Sequence, residues 1–291
     1  MLKEKVLYSR DGKYIPRIAA IHDLCGYGKC SLGVAIPVLS AAACDVCPVP
    51  TGIFSSHTAF PGWYMHDTTA ILTDYLNAWK NIGVEIDAVY SGFLGAPEQV
   101  AAIRRVYQEY PRALKLVDPV MADHGKIYPT YTPELCAAMA SLAKDADILT
   151  PNLTEAAIIL SEPIGDEWAG ANISDSEAER IVKALLALGA KTVILKGINR
   201  DDGVIRNFIG SGDEVLEVNN EFLPYMLHGT GDLYASALLA AVMAGKTILQ
   251  ATEFAGNLTK DAMIVSSYQP DYKNRGVSFE PLLGKISDLL D

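Results

Sequence analysis

Six short apolar runs, each the length of a buried strand, alternate with helix-like segments along this chain, and that alternation restricts its fold more than any other feature. The runs fall at residues 15–21, 45–50, 87–93, 114–117, 147–150 and 191–197. A strand covered on both faces reads as a continuous apolar run, whereas one wet face imposes a period of two. Between the runs lie helix candidates at 31–42 and 67–80, a third from Pro97 to about Tyr110, and a fourth opening at Pro133. Ser174-Asp175-Ser176-Glu177 reads as a capping box before an amphipathic helix over 178–188. Residues 203–218 alternate as a hairpin around Gly210-Ser211-Gly212-Asp213. Further helices are expected near 247–267 and 280–290. Strand and helix alternating at this spacing predict an α/β fold, a mostly parallel central sheet with helices on both faces. No linker-like stretch or repeat interrupts it, so residues 1–291 are expected to form a single domain.

Composition removes several classes of function. The net charge of −11 argues against nucleic acid or an anionic membrane as the main partner. No apolar run reaches the roughly 18 residues of a membrane span, and the first ten residues lack a signal-peptide core, so a cytoplasmic location is expected. Five cysteines are an odd number, which speaks against a disulfide framework. Cys44 and Cys47 have metal-ligand spacing, but they lie in a strand-like run and no second pair follows.

Polar residues gather where the predicted strands end: Asp23, Ser91-Gly92-Phe93, Asp118, Thr150 with Asn152, and Lys196-Gly197. Ligands of open α/β sheets bind at that edge. A second feature points the same way. His228-Gly229-Thr230-Gly231-Asp232 precedes an apolar, Ala- and Leu-rich run ending at Gly245, which predicts a buried helix starting at the glycines. The free N–H groups and partial positive charge of such a start make an anion cradle. A carboxylate at that place would repel a phosphate, unless it removes a proton from a hydroxyl attacking the phosphorus. Gly28-Lys29 is not a nucleotide P-loop, because Asp23 stands where its first Gly belongs and Cys30 replaces Ser/Thr. Residues 51–64, aromatic and polar without helical period, read as a loop, either one that carries function or one that caps a sheet edge.

In sequence, these segments resemble the ribokinase superfamily and, within it, the pyridoxal/pyridoxine/pyridoxamine kinases. Gly229-Thr230-Gly231-Asp232 is similar to the superfamily's anion hole and catalytic Asp. Asp118-Pro119-Val120-Met121-Ala122-Asp123 is similar to its DPV-x-G-D segment, and Thr150-Pro151-Asn152-x-x-Glu155 to its TPN-x-x-E segment. Phe54-Ser55-Ser56-His57-Thr58 resembles the F-S-N-H-T substrate loop of pyridoxal kinases. The resemblance runs from about residue 17 to 250. It implies a ribokinase-like three-layer sandwich and transfer of the γ-phosphoryl of ATP to the 5′-hydroxymethyl of a B6 vitamer. Asp232 would be the general base, with Gly229, Thr230 and Gly231 as the anion hole. Asp118, Asp123 and Glu155 would serve Mg²⁺, while Thr150, Asn152, Glu155, Lys196 and Gly197 would meet ATP. Asp23, Phe54, His57, Thr58, Phe93 and Tyr128 would hold the vitamer, with Phe54 and Phe93 on its ring faces. A monovalent cation such as K⁺ and a homodimer belong to the same expectation. The chain departs from the pattern in four places. Ala122 stands where Gly is usual, the 24–31 loop differs, Phe93 replaces a common Tyr, and Lys196-Gly197 is similar to hydroxymethylpyrimidine kinases. A hydroxymethylpyrimidine kinase is therefore the alternative, and a non-catalytic vitamer- or nucleotide-binding regulator the alternative outside enzymes. Cys25 and Cys30 lie in the loop after the first strand, within reach of the site.

Overall fold

The computed structural model describes residues 1–164 and 173–290. Its elements in chain order are β1 (Arg17–Cys25), α1 (Leu32–Ala41), β2 (Asp45–Phe54), β3 (Met65–Asp67), α2 (Thr69–Ile82), β4 (Ala88–Ser91), α3 (Gln99–Glu109) and β5 (Leu114–Val117). A small hairpin of β6 (Ala122–Asp123) and β7 (Lys126–Ile127) follows, then α4 (Pro133–Ala140), β8 (Ile148–Leu149), α5 (Leu153–Leu160) and α6 (Asp175–Ala187). The rest comprises β9 (Val193–Asn199), β10 (Val204–Ser211), β11 (Glu214–Glu221), α7 (Thr230–Met243), α8 (Ile248–Ser267), α9 (Tyr272–Arg275) and α10 (Leu283–Ser287).

Nine strands form one sheet in the order β11-β10-β9-β8-β5-β4-β1-β2-β3. The six central strands, β2 to β9 in that order, run parallel, and antiparallel strands close both edges. Successive side chains of a strand face opposite sides, which divides the core into two layers. Ile18, Tyr90, Leu116, Ile148 and Ile194 pack with α1, α7, α8 and α10. Their neighbours Ala19, Val89, Val117, Leu149 and Val193 pack with α2, α3, α4, α5 and α6. The expected three-layer α/β sandwich is what the chain forms. No helix among the described residues is long and apolar enough to cross a membrane.

Some boundaries differ from expectation for identifiable reasons. β1 runs past His22-Asp23 to Cys25, and a register shift between His22 and Leu24 lets Asp23 break the alternation. Residues 51–54, expected in a loop, continue β2 because Gly52, Ile53 and Phe54 pair with β3. Ser174 caps α6 by accepting from the Glu177 N–H, but the Glu177 carboxylate turns to Arg180. That leaves half a capping box. The expected helix over 280–290 is broken into 3-10, α and 3-10 turns. Cys44 faces the α7 layer and Cys47 the opposite one, so they cannot share a ligand.

Candidate active site

The parallel strands deliver their C-terminal residues to one edge, and α7 starts above it. Every residue of α7 from Leu233 to Met243 is buried, so burial rather than an amphipathic stripe fixes the helix. Its N-cap Gly229 has φ +82°, and a Cβ there would lie 2.0 Å from the Lys29 carbonyl oxygen. Only glycine fits. Gly231 has an open approach, with the Lys196 ammonium the nearest group to a notional Cβ at 3.8 Å. The first turn of α7 thus starts beside the Lys196 ammonium, with nothing else crowding Gly231.

Asp232 lies in that turn. Burial, reinforced by the charge of Asp118, raises its pKa to about 7, against an N–H bond from Ser31 that favours the carboxylate. Asp23 is likewise raised to about 6 by burial, although the Ser31 hydroxyl donates to it. Ser31 thus serves both acids from a strained backbone, φ 51° and ψ −129°, a conformation that persists only where the surroundings impose it.

Asp118, at the end of β5, is fully buried and accepts at Oδ1 from Lys196 Nζ (2.6 Å) and Thr150 Oγ1 (3.0 Å). Its Oδ2 has no partner among the described residues. Burial alone would lower the Lys196 pKa, but Asp118 and then Glu155 outweigh it and hold the ammonium charged. Asn152 caps α5 in a reciprocal box with Glu155, and its side-chain amide donates to the Ala122 carbonyl. Glu155 accepts from the Asn152 N–H (2.9 Å) and the Met121 N–H (3.3 Å), one on each oxygen, and burial raises its pKa to about 8. Of the residues expected at ATP or metal, the Thr150 hydroxyl thus rests on Asp118, while Asn152 and Glu155 bond each other and the chain that follows Asp118.

Among the described residues no three His, Cys, Asp or Glu side chains form a metal cage. The free Oδ2 of Asp118 suits a hard cation that takes one or two carboxylates plus substrate phosphates and keeps its waters. Asp123, half-exposed on β6, accepts from the His124 N–H at 2.8 Å. Glu155 is the least available of the three expected ligands.

Phe54 and Phe93 meet edge to face, 5.5 Å between centroids, and Phe93 meets Tyr131 in the same way at 5.6 Å. Rings in mutual contact make one continuous apolar wall. His57 points away from them. It stacks on His228 at 4.4 Å, its Nε2 donates to the Asn274 carbonyl (2.8 Å), and its Nδ1 accepts from Ala59. It fastens the 55–64 loop to the residues before the anion hole, with half-buried Thr58 beside it. Tyr128 is brought among Glu155, Asp123, Asp232 and Asp118, where burial and then their charges raise its pKa. Gly197 has φ +81° with open space around it.

Several residues escaped the sequence reading. Ser31 is one; its place just before a helix was the available signal. Tyr131 accepts at its hydroxyl oxygen from the Leu94 N–H (3.2 Å) and walls Phe93, and His228 pairs with His57 across the fold. Lys29 turns to Glu280 and over the Phe279 ring, which accords with rejecting a P-loop.

Residues 51–277 match the family of phosphomethylpyrimidine kinases. The pyridoxal kinase PdxY of Histophilus somni is 32% identical over 75% of this chain and 78% of its own length. A Bacteroides thetaiotaomicron structure in a form with pyridoxal is 31% identical, with a TM-score of 0.87 over 94% of this chain and 96% of that one. The pyridoxal kinase structure from Lactobacillus plantarum is 26% identical, with a TM-score of 0.86 over 95% of this chain and 98% of that one. With Asp232 at a glycine-flanked helix start and the Lys196–Asp118 pair beneath it, the chain belongs to the phosphomethylpyrimidine kinase family and, within the ribokinase-like superfamily, to the pyridoxal kinases.

Proposed function

We propose that residues 1–291 form a single kinase domain that transfers the γ-phosphoryl of ATP to the 5′-hydroxymethyl of a B6 vitamer. As a member of its family the chain is an ATP-dependent phosphotransferase. The observation that carries the residue assignment is Asp232, a buried carboxylate with a pKa of about 7 in the first turn of α7. A general base works best with a pKa near the operating pH, since it must be ionised and still attract a proton. Asp232 takes the hydroxyl proton as the oxygen attacks. The N–H groups of Gly229, Thr230 and Gly231 face the charge that gathers on the transferring group. Lys196 supplies a cation held charged by Asp118. Magnesium arriving with the nucleotide, on the free oxygen of Asp118 with Asp123 nearby, would neutralise phosphate charge. Asp23 and the Phe54–Phe93–Tyr131 wall supply a polar atom and an apolar surface for a heteroaromatic ring. A monovalent cation, a homodimeric state and a cytoplasmic location belong to this reading.

The vitamer assignment draws support from the pyridoxal kinase relatives and the pyridoxal-bearing neighbour. The family match itself favours a second reading, a hydroxymethylpyrimidine kinase, since that ring carries the same CH2OH. ATP consumption against pyridoxal, pyridoxamine, pyridoxine and hydroxymethylpyrimidine decides between them. Hydroxymethylpyrimidine turned over with a kcat/KM at or above that of every vitamer would overturn the first reading.

A further inference from the structure

We propose that Gln99 is a positioning residue for the substrate ring: its side-chain amide fixes the Phe54–Phe93–Tyr131 wall on which a heteroaromatic ring packs. Gln99 opens α3 and is only 1% exposed. Its Oε1 accepts from the Gly95 N–H at 2.8 Å. On the other side Nε2 donates to the Thr51 carbonyl (2.8 Å), Thr69 Oγ1 (2.9 Å) and Asp67 Oδ1 (3.1 Å). These partners set the direction of the amide, because a flip would turn Oε1 onto three oxygens and Nε2 onto an N–H.

Each partner belongs to a segment that carries or adjoins a ring of the wall. Thr51 precedes Phe54 in β2, Gly95 follows Phe93 and Leu94, and Asp67 ends β3, whose Met65 pairs with Phe54. The chain from Phe93 to Gly95 is held by buried side chains at three successive residues. The Phe93 carbonyl accepts from Thr51 Oγ1 (2.8 Å), the Leu94 N–H donates to the Tyr131 hydroxyl (3.2 Å), and the Gly95 N–H donates to Gln99. A Cβ at Gly95 would lie 2.8 Å from Met65 Cε, so this loop sits hard against β3.

A phenyl ring has no hydrogen-bonding atom, so the place of Phe93 is set by its packing and by the course of the loop that carries it. Buried N–H and C=O groups must be paired. Without the amide, the Gly95 N–H and the Thr51 carbonyl lose a partner, and the loop shifts to find another. The wall then moves, and with it the ring and the hydroxymethyl that Asp232 deprotonates. A misplacement of about 1 Å can cost about 10²-fold in rate. None of these bonds runs to Lys196 or to α7, so the phosphate side stays as it is. Gln99 therefore acts on one of the two substrates.

The consequence for turnover rests on the kinase reading above, whereas ring binding is measured without it. The test compares the full chain with Gln99→Met, which keeps the length of the side chain without its amide, and with Thr51→Val, which removes only the hydroxyl bond to Phe93. KM is measured with pyridoxal and ATP varied in turn, Kd for pyridoxal and for ADP by calorimetry, and Tm by a thermal melt. Gln99→Met should raise KM and Kd for pyridoxal at least about tenfold and leave those for ATP and ADP within about twofold. Thr51→Val should move the pyridoxal constants in the same direction by less. A lower Tm with pyridoxal constants unchanged, or nucleotide constants raised as much as those for pyridoxal, would make Gln99 structural and overturn the proposal. If Gln99→Met does not fold, Thr51→Val decides alone by the same comparison. A wild-type chain that prefers hydroxymethylpyrimidine refutes the vitamer reading, and Gln99 is then judged with that ring. One that phosphorylates neither ring refutes the kinase reading, and calorimetry still judges Gln99. One that binds neither ring overturns both.

Discussion

Exchanging Asp232 for Asn removes the proposed base while keeping its shape, and the structure dictates opposite effects on rate and stability. Turnover should fall by about 10²–10⁴, the usual worth of a general base. Stability should rise. The carboxyl is fully buried, and its pKa is raised from 3.8 to about 7, mainly by burial. At about 1.4 kcal/mol per pKa unit, ionising it in place costs on the order of 4 kcal/mol, as an upper bound because the amide must still satisfy the Ser31 N–H. The sign follows from linkage: a pKa raised in the native state means the unfolded chain gives up its proton first. Wild-type stability from this group is therefore full below its unfolded pKa of about 4 and is lost as pH climbs to about 7. The Asn variant has no such loss. Urea unfolding of both proteins should show a gap that is small near pH 4, widens toward pH 7 and then stays constant. In parallel, wild-type kcat/KM should fall about tenfold per unit below pH 7, as the base protonates. A variant no more stable than wild type at pH 8 would show that Asp232 is not buried as described, and one retaining more than about a tenth of the rate that it is not the base.

Three further outcomes are expected. Gly229→Ala places a Cβ against the Lys29 carbonyl at a positive φ and should lower both Tm and turnover; strain at such a φ costs about 1–2 kcal/mol before the clash is counted, and an unchanged Tm would contradict the loop packing. Lys196→Met leaves the Asp118 carboxylate buried and unpaired, costing about 3–5 kcal/mol in a denaturant melt, and adding Asp118→Asn should recover most of that loss. Titration of Mg²⁺ should show a higher requirement for Asp118→Asn but not for Glu155→Gln, whose oxygens are occupied by main-chain N–H groups; Glu155→Gln rising as much as Asp118→Asn would restore Glu155 as a ligand.

How much the sequence disclosed depended on the range of the interaction behind each feature. Apolar runs and helix starts are local, so β5, α4 and α8 fall where the patterns place them. The turn before α7 was legible because Gly229 and Gly231 are needed by the backbone itself. The mutual bonds of Asn152 and Glu155 were not, since a TPN-x-x-E pattern does not say whether its polar atoms face a ligand or each other. Position 152 is a helix N-cap and position 155 its N3, and that local demand is met first. His57 illustrates the long-range case. Its partner carbonyl belongs to residue 274 and its stacking partner to residue 228, and no pattern around residue 57 encodes either. The half-formed box at Ser174 failed for a similar reason, because Arg180 competes for Glu177.

An acidic chain that binds a nucleotide raises a charge problem at this site. Asp118, Glu155 and Asp232 gather around the Lys196 ammonium, with Asp23 close to Asp232, and four formal negative charges would repel ATP. Burial offers the answer, because it penalises the charged forms. Glu155 at about 8 is mostly protonated at neutral pH, and Asp232 at about 7 is half so. Asp118 stays paired with Lys196 by a 2.6 Å bond. The cluster's effective charge is thus far below its formal charge, and the N–H groups of α7 remain available to phosphate. The same arrangement ties proton uptake to nucleotide binding. A polyphosphate set beside Asp232 and Glu155 raises their pKa values further, so ATP binding without metal should take up protons, as buffers of different ionisation enthalpy would reveal in calorimetry. With magnesium screening the phosphates the uptake should shrink. Equal uptake with and without the metal would mean that these carboxyls do not face the nucleotide.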